Sequence, residues 1–402
     1  MVNLSKDLYR ALSRERVPIA WFMLVRYPFR LLTSLAGIVF AGILVLVQLS
    51  IQDSLYVSSV SLLNKLNADI VIVSPSTVSL LEMSLFPSER LVTPLLLDSV
   101  EDIYPLSKVN LRWRIPTTSH IRFISVLGIN PSKPTFLDRD IDRQRPLLLN
   151  QDKALIDEQS RPEFGVSKAK RDFWEGRESP FFINSHTMSN KISIVGLFRL
   201  GSSFAYESTI ITSQDTLSHL YRDTQGRVSM GLVKLKPGSM ADTVVGPLNR
   251  LLPPDVIALS KDEFIAIEKS FWAKGKPIGF VFLFSSIMGL AVGSMMVYQV
   301  LSSDVSYHME SYALMICLGY KRQDLESIVF MEALVLSALS LPGSWMVSYL
   351  ITRLISAFTS LPVAISLTAL ICTFLLILAM CMSSALFAMV RLRDADPSML
   401  FS

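Results

Sequence analysis

Residues 31–51 read LLTSLAGIVFAGILVLVQLSI, and no charge falls between Arg30 and Asp53. A helix rises about 1.5 Å per residue, so about 20 such residues cross the hydrocarbon core of a bilayer. Three further runs have the same character. Pro277 to Ser302 is uncharged between Lys276 and Asp304. Residues 328–350 are interrupted by Pro342-Gly343, which predicts a kink. Leu361 to Val390 exceeds one crossing and predicts tilt or extension beyond the membrane. Composition agrees: of 402 residues, 50% are hydrophobic and only 18% charged, against about 25% in soluble domains. Mean hydropathy is +0.43.

The expected fold class is a membrane all-α bundle of four transmembrane helices, with an α/β (α+β) domain inserted between the first and second. Its segments are 1–30 (amphipathic, cytoplasmic), 31–52 (first span), 53–276 (outer domain with helical stalks) and 277–302 (second span). They continue with 303–327 (cytoplasmic loop), 328–352 (third span), 361–390 (fourth span) and 391–402 (cytoplasmic tail). The first apolar run is too long for a cleavable signal and reads as a retained anchor. Lys6, Arg10, Arg14, Arg16, Arg26 and Arg30 alternate with Leu8, Leu12, Trp21 and Phe22, the pattern of an interfacial helix. This basic flank, Lys321-Arg322 and Arg391/Arg393 must share one side, which places both termini in the cytoplasm by the positive-inside rule. Arg353 stands on the other side, against the rule.

The outer segment reads as strands at 69–73, 109–115, 122–129, 191–198, 208–212 and 228–235, with 147–156 a strand or a short helix. Helical stalks are expected at 54–66 and 261–274. Cys317, Cys372 and Cys381 all lie in the last third, so this segment folds without disulfides.

No phosphate-binding G-x-x-x-x-G-K-[ST], metal-ligand spacing or nucleophile elbow occurs, so neither catalysis nor cofactor or metal binding is expected in this chain. Glu332 is the carboxylate placed to act inside a span, where an ionisable group marks function by default; Glu326 fits the interface. Gly289/Gly293 and Gly37/Ala41 allow close helix contact within the subunit or with a second copy. The sharpest local feature is DVSYHMESYALMICLGYKRQDLES at 304–327. Tyr307, Glu310, Leu314, Cys317 and Leu318 recur at helical spacing, Gly319 fits a helix stop, and Lys321-Arg322 follow. The pattern predicts a short amphipathic helix, which serves either as a docking helix for a cytoplasmic partner or as a connector on the membrane surface.

The segment MESYALMICLGYKRQDLESIVFMEAL at 309–334 resembles the coupling region of MacB/FtsX-type permeases of ABC systems. Glu310, Gly319, Lys321-Arg322 and Glu332 fall on that family's acidic, glycine, basic and acidic positions. Closer still, IAWFMLVRYPFRLLTSLAGIVFAGILVLVQLSIQDSL (19–55), LNADIVIVSPS (66–76), GLFRLGSSFAYESTIITS (196–213) and RLRDADPSMLF (391–401) resemble the DevC family of cyanobacterial permeases. Ser398 replaces a usual alanine, and 135–185 matches poorly. The resemblance implies an inner-membrane permease, homodimeric, that works with a separate ABC ATPase carrying ATP and magnesium. It also implies a periplasmic membrane-fusion protein, a TolC-like outer-membrane channel, and glycolipid or another exported compound as cargo. An FtsX-type or lipoprotein-release-type transmission subunit is the alternative within the superfamily. A sensor or receptor would need a larger cytoplasmic part, and a membrane enzyme would need a catalytic constellation. Nothing points to nucleic acid.

Overall fold

The computed structural model describes residues 28–115, 118, 120–184, 189–201, 206–275, 277–309, 314, 315, 317, 322–359, 361 and 363–392. The expected interfacial helix before residue 28 and the tail after residue 392 lie outside them. The chain divides into two compact units. One holds residues 1–53, 280–354 and 363–402; the other holds 54–279 and 355–362.

The helices in chain order are α1 (Pro28–Ser59), α2 (Ser61–Lys65), α3 (Arg139–Gln144), α4 (Val166–Trp174), α5 (Gln214–Leu220), α6 (Ala241–Leu251) and α7 (Lys261–Ser270). Then come α8 (Pro277–Tyr307), α9 (Arg322–Thr359) and α10 (Leu367–Leu392). Among the described residues, four helical stretches, in α1, α8, α9 and α10, are long and apolar enough to cross a membrane. Two features of the long helices bear on the expected spans. Pro342 sits inside α9, which is helical from Arg322 to Thr359 without interruption. The last span begins at Leu367, six residues late, because Ser366 caps it: its Oγ accepts the Ala369 N–H at 3.1 Å and its carbonyl accepts the Leu370 N–H at 3.1 Å.

Close approach among these helices depends on two glycines. A Cβ on Gly42 would lie 2.3 Å from Ser344 Oγ, and one on Gly293 would lie 2.9 Å from both Ala41 Cβ and Met380 Cε. Gly37 and Gly289, the other members of the two small-residue pairs, face open space. Polar ties cross the same contacts. Ser344 Oγ donates to the Val39 carbonyl at 3.3 Å, Ser384 Oγ to Ser294 O at 3.2 Å, and Gln48 Nε2 to Phe282 O at 3.3 Å. Such ties suit an apolar surrounding, where an unmet donor is costly.

The strands of the second unit are β1 (Ile70–Val73), β2 (Phe86–Pro87), β3 (Val100–Arg114), β4 (Ile121–Ile129), β5 (Lys153–Asp157) and β6 (Ser179–Asn184). They continue with β7 (Ser189–Phe198), β8 (Thr209–Ser213), β9 (Arg227–Val228), β10 (Met230–Leu235) and β11 (Ile257–Ser260). Nine of them form one sheet in the order β11-β1-β10-β3-β4-β8-β5-β7-β6. The 15-residue β3 also meets β6, pairing Arg112 with Asn184 and Trp113 with Ile183. That contact closes six strands, β3 to β6 through β4, β8, β5 and β7, into a ring.

Alternation sorts the side chains into separate cores, as a period of two requires. Ile124 and Val126 of β4 join Trp113, Phe181, Ile194, Ile210 and residues of α4 and α5. Leu127 and Ile129 of the same strand point the other way, into a cluster with Val71, Leu106, Leu232, the helical residues Leu62, Leu63 and Phe264, and Leu66 just past α2. A third cluster gathers Ile70, Ile72 and Val233 under Val244 and Leu248 of α6. The two stalk helices α2 and α7 thus pack on one face of the sheet, and Lys261 Nζ, at the start of α7, donates to the Leu66 carbonyl beyond α2 at 2.9 Å.

Trp113 is fully buried and stacks on Phe181 at 5.0 Å where the ring closes. Trp113→Ala is expected to destabilise the second unit by about 3–5 kcal/mol, read as a lowered denaturation midpoint of the full chain in detergent. Trp174→Ala, at an exposed tryptophan, should stay within about 0.5 kcal/mol.

Candidate functional site

The candidate site lies where α8 gives way to α9. Helix α8 continues one turn past the expected end of the second span and closes on Tyr307. Tyr307 is 54% exposed, and the buried His308 packs against it edge-on at 5.2 Å. Leu314, Met315 and Cys317 are helical. Leu314 is 53% exposed and Cys317 is exposed, whereas Met315 packs against the apolar cluster of Val305, Leu325 and Val329. The segment is therefore two-sided: Met315 anchors it while Tyr307 and Leu314 are presented outward. Arg322 opens α9, and its side chain lies outside the described residues, as do Glu310, Leu318, Gly319 and Lys321.

Ten residues into α9, Glu332 is 0% exposed, among Ile328, Val329, Met331 and Leu336. Glu326, nearer the start, is half-buried. A carboxylate buried there, if ionised, must be compensated from within the bundle. The region thus holds two exposed side chains, Tyr307 and Leu314, and a buried acid on the following helix. Among the described residues no group of three metal-ligating side chains comes together.

A second polar centre, not foreseen from the sequence, lies inside the α/β unit. Lys108 of β3 donates from Nζ to the Leu80 carbonyl at 2.7 Å, and Glu268 of α7 accepts the Leu80 N–H at 2.7 Å on Oε2. The other oxygen of Glu268 accepts the Trp272 indole N–H at 2.9 Å, in the π-helical turn Phe271–Gly275 that follows α7. The backbone N–H and C=O of Leu80 are thereby held by side chains of opposite charge, and the stalk is tied through Leu80 to the longest strand. Burial pushes the Lys108 ammonium down to about 8, against the opposing pull of Glu268. Burial likewise raises the Glu268 carboxyl above its ordinary range, opposed by the Leu80 amide, the Trp272 indole and Lys108. A lysine in the run Leu106–Lys108–Asn110 was the available sequence signal: it stands on the inward side of a strand whose flanks are apolar.

Residues 283–397 match the FtsX-like permease C-terminal family. This stretch takes in most of α8, all of α9 and α10, and the site between α8 and α9. Among solved structures, the periplasmic region of MacB from Actinobacillus actinomycetemcomitans is 12% identical, with 49% of this chain and 91% of that chain covered and a TM-score of 0.31. The extracellular domain of the noncanonic ABC-type transporter YknZ from Gram-positive bacteria is 13% identical, with 48% and 99% covered and a TM-score of 0.33. No curated protein gives a significant match.

The Lys108 centre carries a pH signature. An unfolded chain keeps this lysine protonated up to about pH 10.5 and the fold only up to about 8, so between these values the unfolded state holds more protons. Stability from Lys108 should therefore rise with pH across that window, and Lys108→Met should abolish the rise. At pH 7 the same substitution leaves the buried Leu80 carbonyl without its Lys108 donor and should cost about 1–3 kcal/mol, measured by chemical denaturation of the full chain.

Proposed function

We propose that this chain is the permease subunit of an ABC-type exporter, moved by a separate ATPase that docks on the connection between α8 and α9. The observation that carries the reading is the pair of outward-facing apolar side chains, Tyr307 and Leu314, inside the segment that matches the FtsX-like permease family. An exposed aromatic and an exposed leucine at a helix end suit a protein partner better than water. ATP and magnesium belong to that ATPase; the permease contributes Glu310, Leu318, Gly319, Lys321 and Arg322 around the docking pair. Glu332 links docking to the helices: displacement of the 304–318 segment changes the packing at the start of α9, and a buried carboxylate makes that change energetically large. The stalks α2 and α7, packed on the sheet, receive the motion in the outer domain.

The finer reading is a DevC-like system. In it the chain is homodimeric, resides in the inner membrane with both termini in the cytoplasm, and works with a periplasmic membrane-fusion protein and a TolC-like channel. Glycolipid or another exported compound is the cargo. The FtsX-like match also suits a subunit that transmits motion without moving cargo through a channel, and recovery of a fusion protein and a channel with the purified chain decides between the two.

Three measurements test the proposal. Tyr307→Asp with Leu314→Asp should remove the ATPase from the purified complex and lower export at least about tenfold, with membrane levels of the chain unchanged. Retention of both ATPase and export would sink the docking role. Glu332→Gln should keep the ATPase bound yet lower export about tenfold. With Cys372 and Cys381 replaced by serine, an impermeant thiol reagent should label Trp174→Cys and Phe358→Cys from outside intact cells. Cys317 should react only after permeabilisation; labelling of all three from one side would refute the four-span arrangement.

A further inference from the structure

Helix α9 carries a column of three side chains one turn apart. Trp345 stacks on Tyr349 with centroids 6.0 Å apart and planes at 27°. The Arg353 guanidinium lies over the Tyr349 ring at 5.2 Å from its centroid. Its Nε and one terminal nitrogen both donate to Tyr349 Oη, at 3.0 and 2.8 Å. The column is exposed, and beside it Met346, Leu350 and Leu354 are each more than half exposed.

The charge is what needs explaining. No aspartate or glutamate occurs between Glu332 and Asp394, and Arg353 is the one charged residue from 333 to 390. Among the described residues it makes no ion pair; its hydrogen-bond and ring contacts are to Tyr349. Tyr349 fixes the guanidinium without neutralising it, so a planar, pre-oriented cation stands at the end of an apolar helix face. Fixing the side chain in advance lowers the entropy lost when an anion binds. A cation just past the expected end of the third span, with a tyrosine, a tryptophan and exposed aliphatic side chains on the turns before it, suits a phospholipid: phosphate on the cation, acyl chains on the apolar face.

We propose that the Trp345–Tyr349–Arg353 column is a binding site for the anionic headgroup of a membrane lipid, in the leaflet at the C-terminal end of α9. The proposal rests on the reading of α9 as a membrane span. It also accounts for a basic residue on the side where the positive-inside rule does not expect one: the lipid supplies the counter-charge that the chain lacks.

The test reconstitutes the full chain in phosphatidylcholine vesicles containing either brominated phosphatidylglycerol or brominated phosphatidylcholine. The signal from Trp345 is taken as the difference from a Trp345→Phe chain. Brominated phosphatidylglycerol should quench Trp345 at about a fivefold lower mole fraction, the ratio given by roughly 1 kcal/mol of attraction for one arginine. Arg353→Gln should make the two lipids equal while both still quench, and Arg353→Lys should keep a reduced preference. Equal quenching in the wild-type chain overturns the proposal without any variant, and so does a preference that survives Arg353→Gln. If neither lipid reaches Trp345, protein covers the face, a second copy included, and the proposal falls. The labelling of Phe358→Cys reports separately on whether α9 spans the membrane.

Discussion

Inside hydrocarbon a peptide group finds no water, so every N–H and C=O must be met within its own segment. That constraint divides this chain. Its apolar stretches form helices of 26 to 38 residues, while the sheet, whose strands need neighbours, is built from the residues between the first and second of these helices. Several hydroxyls of α9 follow the same rule. Ser337, Ser340, Ser344 and Thr352 each donate to a carbonyl three or four residues earlier in the same helix, and Ser344 also reaches the Val39 carbonyl. These hydroxyls enter an apolar bundle with their donors occupied.

The long helices were legible because their signal is length and lack of charge, which needs no tertiary information. The sheet was legible only in part. Strands at 70–73, 121–129, 189–198 and 209–213 showed alternation or β-branched runs and stand within a few residues of expectation. The first half of β3 was hidden by Glu101, Asp102 and Pro105, which local propensity disfavours in a strand. Pairing with β10 along Val100–Leu106 overrides that preference. Strand β6 pairs along its length with β7 and only its end meets β3; it was hidden because Pro180 is disfavoured in a strand and the outward Phe182 blurs the alternation of Phe181 and Ile183. At the candidate site the spacing of Tyr307 and Leu314 was readable, but the inward turn of Met315 was not. Helical periodicity gives a face, and only the packed bundle says which face is turned to the core.

The molecule places its two polar centres differently. At the α8–α9 connection, side chains are exposed at Tyr307 and Leu314 while the acid, Glu332, is buried further along α9. In the α/β unit, charge is buried to hold a stalk against a sheet whose remaining contacts are almost wholly apolar. Apolar contacts are strong but tolerant, since leucine and phenylalanine accept many neighbours of similar volume.

That tolerance gives the Lys108–Leu80–Glu268 centre a role in assembly fidelity. Sliding α7 by one residue along the sheet would trade one greasy contact for another at Phe264, at little cost. The same slip would strand an ammonium and a carboxylate apart in a dry interior, at several kcal/mol. The charged couple works as a checksum on the fold: it adds little to the strength of the correct arrangement and makes the neighbouring wrong ones expensive. If the stalk delivers small displacements, as proposed above, it needs that kind of certainty about its starting position more than it needs additional adhesion.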